Sequence, residues 1–209
     1  MYGDKRLIVV YLFVILIFLI IKKGYELIIK KDKTTNIVLS MQILIGLLVL
    51  YKFKLSIFTI ILLLSLVFMS HSVITDLSKL EIPYVSIIGL FILGLIGLFF
   101  NNEYPFNVSL NDKLAGFIIF IILWISISLI QYKLNKEFIG GGDLMLFCVI
   151  SLLIGWQYTM LGIFYASVIA LIVEKIKKNK SLFPFGPYLI IGFIISILTS
   201  DYLMKLIKG

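Results

Sequence analysis

Apolar residues along this chain come in long runs separated by short polar stretches. The runs are Leu7 to Ile21, Ile37 to Leu50, Leu55 to Ile74, Tyr84 to Phe100, Leu114 to Ile130, Asp143 to Ile154, Thr159 to Val173 and Tyr188 to Leu203. About 20 such residues cross the hydrocarbon core of a bilayer as a helix, so the pattern predicts an all-α, polytopic helical bundle of about eight transmembrane helices. The second and sixth runs are the shortest. Lys22 and Lys23 end the first run and no small-residue cleavage site follows, which favours a span over a cleaved signal peptide. Little chain remains outside the runs, so residues 1–209 are expected to form a single integral membrane domain. It would consist of an N-terminal helical hairpin (1–54) and a core (55–209), with no internal repeat.

Composition strengthens this picture. Of 209 residues, 61% are hydrophobic and 14% charged, and the mean hydropathy is +1.14, far outside the range of soluble domains. The formal charge of +8 is carried by lysines between apolar runs and makes no basic face, so nucleic acid is not an expected partner; the lipid bilayer is. If eight spans alternate sides, the loops after the first, third, fifth and seventh hold the larger share of the 19 basic residues and are expected to be cytoplasmic. The lone cysteine, Cys148, lies inside an apolar run, so no intrachain disulfide and no cysteine-based zinc cluster is expected; it reads as a small packing residue.

Two interruptions carry candidate chemistry. In Ile139-Gly140-Gly141-Gly142-Asp143-Leu144 three glycines deliver a carboxylate to the mouth of the sixth run, and in Thr75-Asp76-Leu77-Ser78-Lys79-Leu80-Glu81-Ile82-Pro83 another aspartate follows the third. Taken alone, the first is equally a glycine turn with an aspartate cap. Yet an ionisable group at the edge of a span is expensive to desolvate, which makes it a functional candidate, and the expected topology puts Asp76 and Asp143 at the same membrane surface. Two carboxylates brought face to face resist ionising together and share a proton, so one can act as base while the other acts as acid. Such a pair can activate water against a peptide carbonyl and protonate its oxygen with no covalent intermediate. Gly140, Gly141 and Gly142 are expected to supply positive φ angles or room for another segment to approach. Pro83 is expected to open the fourth span, where the missing N–H does no harm.

Asp76 with Lys79 and Ile82-Pro83, then Gly140-Gly141-Gly142-Asp143, then Pro184-Phe185-Gly186-Pro187 before the last run, resemble the bacterial type IV prepilin peptidase family of GxGD membrane aspartyl proteases. The resemblance covers Leu55 to the C-terminus. It implies cleavage of the short basic leader of prepilins or pseudopilins, just after a glycine, at the cytoplasmic face of the bacterial inner membrane. Asp76 and Asp143 match the family's catalytic aspartates, and Gly140 and Gly142 its motif glycines. Met145 stands where members commonly have lysine, and Tyr84 where asparagine often follows the Ile-Pro pair. Larger members carry a cytosolic insert with paired cysteines and methylate the new N-terminus. This chain has neither feature, so peptidase activity is expected without methyltransferase, without zinc or other metal, and without S-adenosylmethionine or any other cofactor.

The remaining polar residues have blander readings. His71, five positions before Asp76, points to a different helix face and is expected to hydrogen-bond within the bundle. Lys79 and Glu81 could touch a substrate leader or form a solvated pair. Asp112 and Asp201 fall on the opposite face and are excluded from the site, and Pro184 to Pro187 are expected to shape the start of the last span. The alternative function is a proton- or ion-coupled transporter using the two carboxylates as a relay. Against it, only one glycine break is present where paired broken helices are usual. A presenilin-like protease would show Tyr-Asp and Pro-Ala-Leu motifs, and neither occurs.

Overall fold

A computed structural model of the chain describes residues 33–100, 108–177 and 184–199. These form seven α-helices, with no strand among the described residues: α1 (Lys33–Phe53), α2 (Ile57–Lys79), α3 (Tyr84–Phe99), α4 (Leu110–Leu134), α5 (Gly141–Ile154), α6 (Trp156–Lys177) and α7 (Gly186–Leu198). The expected first span, Leu7 to Ile21, lies outside the described residues, as do Asp201 and the end of the last apolar run. Four helices, α1, α2, α4 and α6, are long and apolar enough to cross a membrane; α3, α5 and α7 are shorter apolar helices.

The short helices are explained by where they sit. With 14 residues, α5 is about 21 Å long, less than the roughly 30 Å hydrocarbon core. Leu144 and every residue from Leu146 to Ile154 are buried, and the helix packs against α3, α4 and α6. Because α5 is surrounded by protein, its non-helical approach need not face lipid, which is the condition for irregular backbone at membrane depth. By contrast α4 buries little of its length and presents Ile118, Ile122, Ile125 and Leu129 outward, the pattern of a helix against lipid.

Several boundaries differ from those the apolar runs suggest. α2 does not stop before Asp76; it continues to Lys79 and ends with Leu80 in the left-handed region at φ 57°, whose N–H donates to the Asp76 carbonyl. α4 starts before its apolar run, where Ser109 and Asp112 form a reciprocal capping box. α6 also starts before its apolar run, at Trp156, with Gly155 at φ 86° alone between it and α5. In each case hydropathy marks where lipid-compatible side chains end, whereas the backbone ladder continues until a cap or a steric break stops it.

Polar side chains tie the helices together. His71 Nδ1 and Ser86 Oγ lie 2.8 Å apart, joining α2 to α3 in the bundle role expected of this histidine. Lys52 Nζ donates to the carbonyl of Leu198 at the end of α7, favourable for a cation beside unpaired helix carbonyls. Cys148 is buried, with Sγ 3.3 Å from the Leu144 carbonyl, consistent with a packing role.

Candidate active site

At one end of the bundle the C-terminus of α2, the start of α3, the α4–α5 connector and the start of α5 enclose an open cavity of about 480 Å³. Asp76 and Asp143, 67 positions apart in sequence, both line it and are close enough to interact through their charges. Each reaches the cavity from a helix end: Asp76 from the last turn of α2, and Asp143 from the first turn of α5. Asp76 is buried at 6% exposure, while Asp143 is half-buried.

The glycines work through space. Gly140 caps α5 with φ −61° and ψ 136°, and among the described residues the glycine with positive φ is Gly155. The expectation of positive φ at 140–142 is therefore corrected: Gly141 and Gly142 already lie in α5 and need helical angles. A Cβ on Gly142 would come 2.9 Å from the Cβ of Ile82, closer than packed carbons sit, and one on Gly140 would lie 3.3 Å from Asp143 Oδ2. Gly141 has nothing within 4 Å of that position and opens onto the cavity. Pro83 is the N-cap residue of α3 and lines the cavity beside Ile82. Lys79, the last residue of α2, is exposed and not among the lining residues. Glu81 is among them, as are Glu137 and Met145.

Two residues that the sequence reading left out of the site hold its geometry. Gln131, near the end of α4, accepts from the backbone N–H groups of Phe138 and Ile139, both at 2.9 Å. This pins the connector just before Gly140. Gly186, the first residue of α7, donates its N–H to Asp76 Oδ2 at 2.8 Å in a buried hydrogen bond. The Pro184 to Pro187 stretch thus does more than begin the last helix. A glutamine near a polar helix end gives no sequence signal for such a task, although a glycine between Pro184 and Pro187 was a signal of a kind.

Among the described residues no group of three or more His, Cys, Asp or Glu side chains could hold a metal ion. What the site presents is the Asp76 and Asp143 carboxylates on one open cavity, with Glu81 and Glu137 also in its lining.

The sequence profile of the Type IV leader peptidase family matches residues 60–174. A Pseudomonas aeruginosa protein named prepilin leader peptidase/N-methyltransferase is 30% identical over 131 residues, which is 59% of this chain and 44% of that protein. A protein of the same name from Legionella pneumophila is 29% identical over 149 residues, covering 68% of this chain and 49% of its own length. Another, from Pectobacterium carotovorum, is 30% identical over 114 residues, or 51% and 40%. The matches thus span less than half the length of these curated relatives. No solved structure matches the chain.

Proposed function

The chain belongs to the type IV leader peptidase family, and on that premise we propose that it is an aspartic endopeptidase whose Asp76 and Asp143 hydrolyse the leader of a prepilin or pseudopilin. The observation that carries the reading is the convergence of these two carboxylates on one open cavity at a single end of the bundle. One carboxylate takes a proton from water as the water oxygen attacks the scissile carbonyl carbon. The other, protonated, gives its proton to the carbonyl oxygen. As the tetrahedral intermediate collapses and the C–N bond breaks, a proton passes to the leaving amine, and two chains leave with free termini. Neither a covalent intermediate nor a cofactor enters the scheme.

The substrate is a leader followed by a hydrophobic helix, cleaved after a glycine at the cytoplasmic face of the bacterial inner membrane. Lipid would hold the helix while water reaches the bond at the cavity. Among the described residues the lining includes Asp76, Glu81, Glu137 and Asp143 but no lysine or arginine, in a chain with 19 basic and 11 acidic residues, which suits a basic leader. The relatives' names also carry an N-methyltransferase activity; with Cys148 its lone cysteine, this chain is proposed to perform the peptidase reaction alone.

The test is reconstitution of the full chain in vesicles with a leader-bearing pilin, comparing wild type with Asp76→Asn and Asp143→Asn. Each substitution keeps the side-chain shape and removes the titrating group, so processing should fall to background in both. Wild-type processing by either variant rejects the dyad. A proton-flux measurement on the same vesicles addresses the transporter alternative, and no flux is expected.

A further inference from the structure

We propose that Gly186 is a positioning residue for the reaction, holding the Asp76 carboxylate from the first turn of α7; the inference rests on the peptidase reading above. The N-cap residue of α7, Phe185, makes no side-chain capping bond, and Pro187, in the second helical position, has no N–H to offer. The Gly186 N–H is the first helical donor at this end, and it points to Asp76 Oδ2 at 2.8 Å. Asp76 thus caps α7 from across the fold, 110 positions away in sequence, in the role a Ser or Asp side chain plays within a helix's own N-terminus.

Close contact with the same carboxylate makes the fit specific to glycine. A Cβ at position 186 would lie 2.8 Å from Asp76 Oδ2, 3.3 Å from its Cγ and 3.5 Å from its Cβ. Both Gly186 and Asp76 are buried, and α2 fixes the Asp76 backbone, so a methyl group there would force the carboxylate to swing. The backbone of Gly186 lies outside the left-handed region, so space is the reason for glycine. Binding Oδ2 to a backbone donor leaves Oδ1 to exchange a proton with water or substrate. The hydrogen bond therefore sets which oxygen works and the plane it works in.

The full chain, reconstituted with a leader-bearing pilin, is compared as wild type, Gly186→Ala and Gly192→Ala. Gly192 is a control on the same helix, packed against the backbone of Gly162 and Ala166 in α6 and away from the cavity. Gly186→Ala should lower kcat by about ten- to a hundredfold, since displacements of the order of an ångström have such effects. It should leave KM within about twofold and displace the pH profile of kcat by about half a unit or more. Gly192→Ala should lower Tm without displacing that profile. A Gly186→Ala enzyme with wild-type kcat and pH profile, or one altered only in KM, overturns the proposal.

A second measurement does not depend on how the variant folds. With ¹⁵N-glycine labelling of the wild type, the Gly186 amide shift should follow the titration of the carboxylate it binds, and Asp76→Asn should abolish that response. An amide that does not titrate, or one that titrates equally in Asp76→Asn, overturns the proposal. If the wild type leaves the pilin uncut, the peptidase reading fails and the amide titration alone decides the contact.

Discussion

Ile82 packs against Gly142 so closely that no side chain can be added at position 142: a Cβ there would stand 2.9 Å from the Ile82 Cβ and 3.4 Å from its Cγ1. This contact joins the α2–α3 turn to the first turn of α5, and so sets the spacing between the segments that carry Asp76 and Asp143. Gly142→Ala should push the two apart and lower processing by about tenfold or more. Adding Ile82→Ala should recover part of the loss, a coupling that a double-mutant cycle measures directly. Gly141→Ala, where a methyl group would meet nothing within 4 Å, should stay within about twofold of wild type. Equal losses at positions 141 and 142 would show that flexibility, and not space, is what the glycines provide.

The approach to the glycines depends on Gln131. Its Oε1 accepts from two successive backbone N–H groups, those of Phe138 and Ile139, in a connector without regular structure between Asn135 and Gly140. Gln131→Ala should free the connector and lower kcat several-fold, with Tm little changed because the site is near the surface. Gln131→Glu keeps an acceptor oxygen at the same reach and should retain most of the activity. If both variants behave alike, the carbonyl oxygen is not what matters.

The convergence of Asp76 and Asp143 was legible in the sequence because a carboxylate at the edge of an apolar run is conspicuous, and counting spans puts both on one side. The closeness of Ile82 to Gly142 was half legible: the triple glycine announced room or unusual φ, and a sequence cannot say which of the two a glycine serves. The helix ends were misjudged wherever hydropathy and hydrogen bonding part company, as at Asp76, which lies a turn inside α2. Gly186 and Gln131 escaped because each acts through a bond to backbone or from backbone. A backbone N–H has no residue type, and its partner across 110 positions leaves no spacing to read.

Asp112 shows what an aspartate outside the site does in the same chain. It lies at the far end of the 25-residue α4, where one oxygen accepts from the N–H and hydroxyl of Ser109 and the other from Gln157 Nε2 and Trp156 Nε1. It closes the capping box of α4 and clips it to the start of α6. Asp112→Ala should destabilise the protein by about 1–2 kcal/mol, the usual size of a lost cap, and shift the Trp156 fluorescence. Leader processing below the melting transition should stay within about twofold. A loss of processing as deep as that from Asp143→Asn would put a third carboxylate into the chemistry and revive the relay reading.

Glu81 and Glu137 are exposed and line the same cavity as the two aspartates. If they meet the basic part of a leader, their contribution is electrostatic, weak for each pair and screened by salt. Glu81→Gln with Glu137→Gln should therefore raise KM for a lysine-rich leader several-fold at low ionic strength and leave kcat nearly unchanged, since the hydrolysing pair is intact. The effect should shrink at high salt, and a leader with its lysines replaced by glutamines should not distinguish the double variant from wild type. That last comparison decides the matter: a KM penalty that persists with the uncharged leader would mean the glutamates shape the cavity and do not read charge.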